Sequence, residues 1–244
     1  MSSEVSEWQI ELLKNEDHRF HAIGPGGTGL IMLATTEKKS KKGREVISFG
    51  LPSASALFLN LAIDARRRRL GIDLNNTFVP HPPPQGTWPE DHTPLFNYFE
   101  SITAEVIFSF SAIEAFVNES IPSDFVYRHK TRSGVEIDLS ADDIERIISI
   151  DEKLNKVIPI SHNLVSPSGG IVWQKFKALK GIRDRLVHLK SIDRKASGPE
   201  DQTIWGILVE SVKSNFAQDA YKMIGSFPTL VQDRRWYQLI GTHL

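Results

Sequence analysis

The chain has 244 residues, of which 40% are hydrophobic, enough for one large or two small domains with a sizeable core. It has no cysteine, which excludes disulfides, thiolate metal sites and cysteine nucleophiles and is compatible with a reducing cytoplasm. A net charge of −1 means that any polyanionic partner must be held by a local patch.

The N-terminus, Met1-Ser-Ser-Glu-Val-Ser-Glu7, has no basic region followed by an apolar run, so a secretory signal is not expected. No apolar run approaches the roughly 20 residues of a membrane helix. Short apolar segments at Trp8–Leu13, His21–Ile23, Leu30–Ala34 and Glu45–Phe49 alternate with turn-rich breaks and predict a small β-meander. Gly24-Pro-Gly-Gly-Thr-Gly29 lacks the Lys-Ser/Thr ending of a phosphate-binding loop and reads as a hairpin turn. Lys38-Lys-Ser-Lys-Lys42 reads as a solvated hairpin tip, with an RNA contact as the alternative.

A helix is predicted over about 53 to 70, opening at Pro52 and Ser53 and ending in Arg66-Arg-Arg-Arg69 before Gly71. Cations favour a helix C-terminus, so this run is either structural or a polyanion contact. Residues 79 to 94 carry too many prolines for regular structure and mark the best boundary, dividing an N-terminal α+β extension (1–90) from a helical region (91–244). From Leu95 to about Ser120, apolar residues at three- and four-residue spacing predict a long central helix. Its polar members Ser111, Glu114 and Asn118 share one face, as ordinary rim groups or as partners for a buried cation.

The stretch containing Lys130-Thr-Arg-Ser-Gly134 is predicted to be irregular. Helices follow from Ser140 and from Ser149, the second ending at Pro159. A helix is predicted over 171–190 and a last long one over about 203–224, before an aromatic, basic tail at Arg234–Ile240 that could cover the bundle or pair with another subunit.

The 171–190 helix carries an anomaly. Phe176, Leu179, Ile182, Leu186 and Val187 project to one side, and Arg183 falls in the middle of that side. A guanidinium is costly to bury alone, so it must meet a carboxylate, a phosphate or a wet partner surface. His188 lies roughly 140° around the helix from Arg183, and Asp184, four residues before it, is spaced to set its tautomer. Arginine plus histidine at one rim suits phosphodiester chemistry: charge stabilisation from one, proton transfer from the other. The eight histidines are dispersed, and no metal motif, GxSxG or nucleotide fingerprint appears, so no metal or cofactor is expected.

Arg183-Asp-Arg-Leu-Val-His188 resembles the R-[N/D]-x-x-x-H signature of HEPN domains, antiparallel bundles of four to five helices. Ser111-Ala-Ile-Glu-Ala-Phe-Val-Asn118, Ile150-Asp-Glu-Lys-Leu154 and Trp173-Gln-Lys-Phe-Lys-Ala-Leu179 extend the resemblance over about 95 to 225. It implies a mainly α fold, with the N-terminal meander and helix as an extension. It also implies a metal-independent endoribonuclease, of the toxin or phage-defence kind, whose two protomers line one composite cleft. In that scheme His188 moves protons around 2′-hydroxyl attack, Arg183 binds the scissile phosphate, Asp184 orients His188, and Glu114 with Asn118 holds Arg183. Arg185, Lys190, Arg66 and Arg67 are the candidate RNA-binding cations. RNA, a second copy of the chain, and an antitoxin or regulatory protein are the partners to expect. Other members of the family are non-catalytic modules for RNA binding or dimerisation.

Overall fold

The computed structural model describes residues 17, 19–20, 22–23, 30–31, 33–41, 43–82, 86–196 and 202–244. The chain is mainly helical, with small two-stranded antiparallel sheets. Trp8–Leu13 and the Gly24–Gly29 turn lie outside the described residues. β1 (Ala22–Ile23) pairs with β2 (Leu30–Ile31), and β3 (Leu33–Ser40) pairs with β4 (Gly43–Gly50). These are two separate ribbons instead of one continuous meander. The basic run falls where β3 turns into β4, and Gly43, at φ +121°, supplies a backbone conformation closed to most side chains.

The first helix, α1 (Ala54–Leu70), starts where the Ser53 hydroxyl accepts the Ala56 N–H, as its sequence requires. Its Ala56, Leu59, Ala62 and Ile63 are buried in the same core as the later helices, so residue 90 does not divide the hydrophobic interior. After the one-turn α2 (Leu74–Thr77), the proline-rich stretch forms a short hairpin, β5 (Phe78–Pro80) with β6 (Thr87–Pro89), correcting the expectation of no regular structure. Proline is tolerated there because each strand has a free edge.

The organising element is α3 (Thr93–Glu119), 27 residues and about 40 Å long, with Pro94 in its first turn. Ile102, Val106, Phe110, Ile113, Phe116 and Val117 are fully or almost fully buried along it. The segment after it forms another hairpin, β7 (Tyr127–Lys130) with β8 (Glu136–Leu139), where an irregular stretch was expected. Gly134 takes φ +86° in its turn.

Serine caps open α4 (Ala141–Ile147) and α5 (Ile150–Glu152). The predicted stop at Pro159 is not observed. A π-helical turn over Lys153–Val157 widens the helix so that Ile158 N–H reaches Lys153 O, and the chain continues through Pro159 in α6 (Ile158–His162). Proline lacks an N–H, and a wide turn placed just before it accommodates the missing donor.

Helix α7 (Ile171–Val187) packs Phe176 and Leu179 into the core, with the Phe176 ring stacked 6.2 Å from Phe110. The predicted last long helix is broken. α8 (Ile204–Glu210) and a 3-10 turn give way at Ser214, and α9 (Phe216–Ile224) restarts with Asn215 as its cap. The cause is tertiary. Arg69, 1% exposed, pairs with the fully buried Glu105 at 2.8 Å and donates to the Val212 and Ser214 carbonyls, while Glu105 accepts the Phe216 N–H. Buried carboxylate, guanidinium and three backbone groups thus satisfy one another only if the helix is interrupted there. After α10 (Pro228–Val231), the tail forms α11 (Arg235–Ile240). It covers the bundle: Trp236 is buried, and Arg234 bonds to Glu119 and Ser120 over the Phe116 ring. Among the described residues no helix is long and apolar enough to cross a membrane.

Candidate active site

Arg183 lies at the rim between α7 and α3. The two turns of α7 that carry it outgrow the core: Ile182 and Leu186 are only partly buried and Val187 is exposed. An arginine on the apolar side is tolerated because that side reaches water at this end. The guanidinium lies 4.5 Å above the Phe110 ring, 3.0 Å from Asp184 Oδ1 and 3.7 Å from Glu114 Oε2, with its side chain 29% exposed. The predicted Arg183–Glu114 pairing across two helices is therefore present, though long and solvent-open. Burial pushes the Glu114 carboxyl above its ordinary range, with Arg183 and Lys153 pulling in the opposite direction.

Asn118 does not hold Arg183. Its side-chain oxygen accepts from the buried Lys153 Nζ at 2.9 Å, which also donates to the Glu145 carbonyl. Lys153 escaped the sequence reading although it adjoins Leu154 and shares a buried face with Val157. A lysine at such a position signals a polar partner inside. Burial lowers its affinity for a proton, Glu145 and Glu114 raising it in part.

Asp184 does not orient His188. Its two oxygens accept from Lys180 at 2.7 Å and Arg183 at 3.0 Å. Partial burial raises this carboxyl, but those hydrogen bonds outweigh it and hold the group below its ordinary value. The reason for the missed pairing is the end of the helix. The last α-helical residue is Val187; His188 leaves the spiral at φ −122°, ψ 71°, its backbone N–H still donating to the Asp184 carbonyl. The ring stands exposed, with no hydrogen bond or ion pair among the described residues. Gly181, Asp184, Arg185, His188 and Lys190 surround an open hollow of about 480 Å³.

The four candidate RNA-binding cations differ in how free they are. Arg185 is locked by two bonds to Asp193 and one to the Gln202 carbonyl. Those bonds, with the Ile204 and Lys190 N–H groups, hold the Asp193 carboxyl far below the usual carboxylate range. Lys190 is exposed at the hollow. Arg66 donates to the Ser214 carbonyl at 2.6 Å, which makes it part of the helix break; Arg67 is exposed beside Asp64. The arginine run is thus structural at Arg66 and Arg69 and solvated at Arg67 and Arg68.

No protein-family model, curated protein or solved structure matches the chain. What the site offers must be judged on its own chemistry. Arg183 presents N–H donors to water while anchored on one face by Phe110, and His188 presents an unengaged imidazole one turn on. The nearby charges are of both signs: Arg183, Lys180, Lys177 and Lys153 stand beside Glu114, Asp184 and Asp151. Among the described residues no group of three or more His, Asp or Glu side chains is placed to hold a metal ion.

Proposed function

We propose that the chain is a metal-independent endoribonuclease of the HEPN kind, with Arg183 and His188 as half of a site completed by a second copy. The observation that carries this reading is that one helix end holds a partly exposed arginine and, five residues on, an exposed histidine with no hydrogen bond or ion pair among the described residues. Exposed Val187 and the adjacent Leu189 give that end an apolar collar on which a second protomer would seat. Helices α1, α3, α7 and α9 share one core, and an antiparallel arrangement of them is what this reading expects.

In the reaction, the ribose 2′-oxygen attacks phosphorus and the bond to the 5′-oxygen breaks. His188 takes the 2′-proton or gives a proton to the departing 5′-oxygen, the partner's copy taking the other part. Arg183 neutralises charge gathering on the non-bridging oxygens. The products are a 2′,3′-cyclic phosphate and a free 5′-hydroxyl, and the substrate supplies its own nucleophile. A toxin or phage-defence effector acting in the cytoplasm, restrained by an antitoxin or regulatory protein, is the setting this activity suits. Lys190 at the hollow is the cation best placed to contact RNA, and of Arg66 and Arg67 the exposed Arg67 is the freer.

A second reading rests on the same arginine. Asp184, Glu114 and Phe110 already satisfy Arg183 within one chain, which favours a non-catalytic module that dimerises or binds RNA. Incubation with total RNA in EDTA separates the two. Cleavage ending in cyclic phosphate, lost by about a hundredfold or more in His188→Ala, supports the nuclease; binding without cleavage, or cleavage at the wild-type rate by His188→Ala, sinks it.

A further inference from the structure

A ladder of aromatic rings runs along the bundle from β6 to α8. Trp88 on β6 meets His92 edge-on at 5.0 Å, His92 meets Phe96 at 6.3 Å, Phe96 meets Phe99 at 6.5 Å, and Phe99 meets Trp205 on α8 at 5.5 Å. Trp88, Phe96 and Trp205 are 51%, 59% and 38% exposed, so three large rings spend their faces on water. The rungs are fixed: Trp88 is paired to Val79 in the hairpin, and Trp205 Nε1 donates to the Asp193 carbonyl.

Exposed rings at this spacing suit stacked bases or stacked guanidinium groups, and charge decides between them. A single strand of nucleic acid needs cations to track its phosphates. No Lys or Arg occurs between Arg69 and Arg128. Asn97, next to Phe96 in α3, is shared with Ile72 by two hollows of about 450 and 500 Å³, which so form one trough along the helix. Asp73, Glu90, Asp91 and Glu100 line it, against the single cation Arg68 at one end. Asp73 and Asp91 are pinned by capping backbone N–H groups, whereas Glu90 and Glu100 are exposed and make no ion pair among the described residues.

Aromatic faces beside unpaired carboxylates are the complement of arginine, which stacks on the one and forks onto the other. We propose that this face docks a basic peptide segment of a partner protein, its arginine side chains stacked on Phe96 and Trp88 and reaching Glu90 and Glu100. The site is independent of the Arg183–His188 reading and stands or falls without it.

The test titrates the full chain with a labelled oligoarginine peptide, alongside oligoglutamate and oligouridylate. Oligoarginine should bind. Phe96→Ala and Glu100→Lys should each weaken it about tenfold, whereas Phe96→Tyr, which keeps the ring, should bind as wild type does. Both sites face water, so melting temperatures should stay unchanged; if Phe96→Ala melts early, Glu100→Lys and Phe96→Tyr carry the comparison alone. No binding of oligoarginine, or equal binding by wild type and Glu100→Lys, overturns the proposal. So does oligouridylate that binds more tightly to Glu100→Lys and less tightly to Phe96→Ala, which would make the ladder an RNA track. A change of oligomeric state in Phe96→Ala would assign the face to a second copy and overturns it equally.

Discussion

Two glutamates on α3 each meet an arginine from another helix, and the two pairs behave as opposites. Glu105 and Arg69 touch at 2.8 Å with essentially no exposure, and together they satisfy three backbone groups at the break between α8 and α9. Glu114 and Arg183, nine residues further along α3, stand 3.7 Å apart with side chains 40% and 29% exposed. The first pair is committed to the fold because every donor and acceptor has an internal partner. The second has slack, and a cation with slack can exchange a carboxylate for a phosphate without unfolding anything. Arg234 with Glu119 lies between them, at 3.1 Å and mostly buried. Exposure and geometry, more than residue type, separate a structural arginine from an available one.

The comparison breaks or sharpens under substitution. Arg69→Ala strands the buried Glu105 carboxylate and should cost about 3–5 kcal/mol in denaturant unfolding, with α8 and α9 losing their ordered break. Arg234→Ala should cost about 1.5–3 kcal/mol by the same measurement, since it removes the mostly buried hydrogen bonds to Glu119 and Ser120. Arg183→Ala should cost about 1 kcal/mol or less, because its ion pairs are wet. A loss from Arg183→Ala as large as that from Arg69→Ala would erase the distinction.

The smallest expected effect is a pH slope. Burial raises the Glu114 carboxyl, so the folded state holds that proton more tightly than the unfolded chain. Stability from this group is full below the ordinary glutamate value of 4.5 and falls as pH rises through the raised one. Glu114→Gln removes the titration, so its unfolding midpoint should gain on wild type as pH rises through that window. A gap between the two that is flat with pH would show that Glu114 is not strained by burial.

Much of this was legible in the sequence where periodicity and local chemistry act alone. The core side of α3, the serine caps of α1, α4 and α5, and the odd position of Arg183 all follow from spacing, whereas spacing left Glu114 open between a rim group and the partner of Arg183. What failed depended on distant partners. The break at Ser214 is imposed by Arg69 and Glu105, each more than a hundred residues away in sequence, against a continuous helical pattern. The β7–β8 hairpin has four-residue strands in which Ile137 is exposed and only Tyr127 and Leu139 are buried, so it lacks the alternation that marks a half-buried strand. Asp184 sits four residues from both Lys180 and His188, and spacing could not choose between them; the helix ends at Val187, and that chose Lys180.

The most direct test of the central claim measures two quantities on one variant: the unfolding free energy and the RNA cleavage rate in EDTA of Arg183→Ala. The account predicts stability within about 1 kcal/mol of wild type together with cleavage reduced about a hundredfold or more. An unfolded Arg183→Ala protein, or a folded one that cleaves RNA at the wild-type rate, would contradict it.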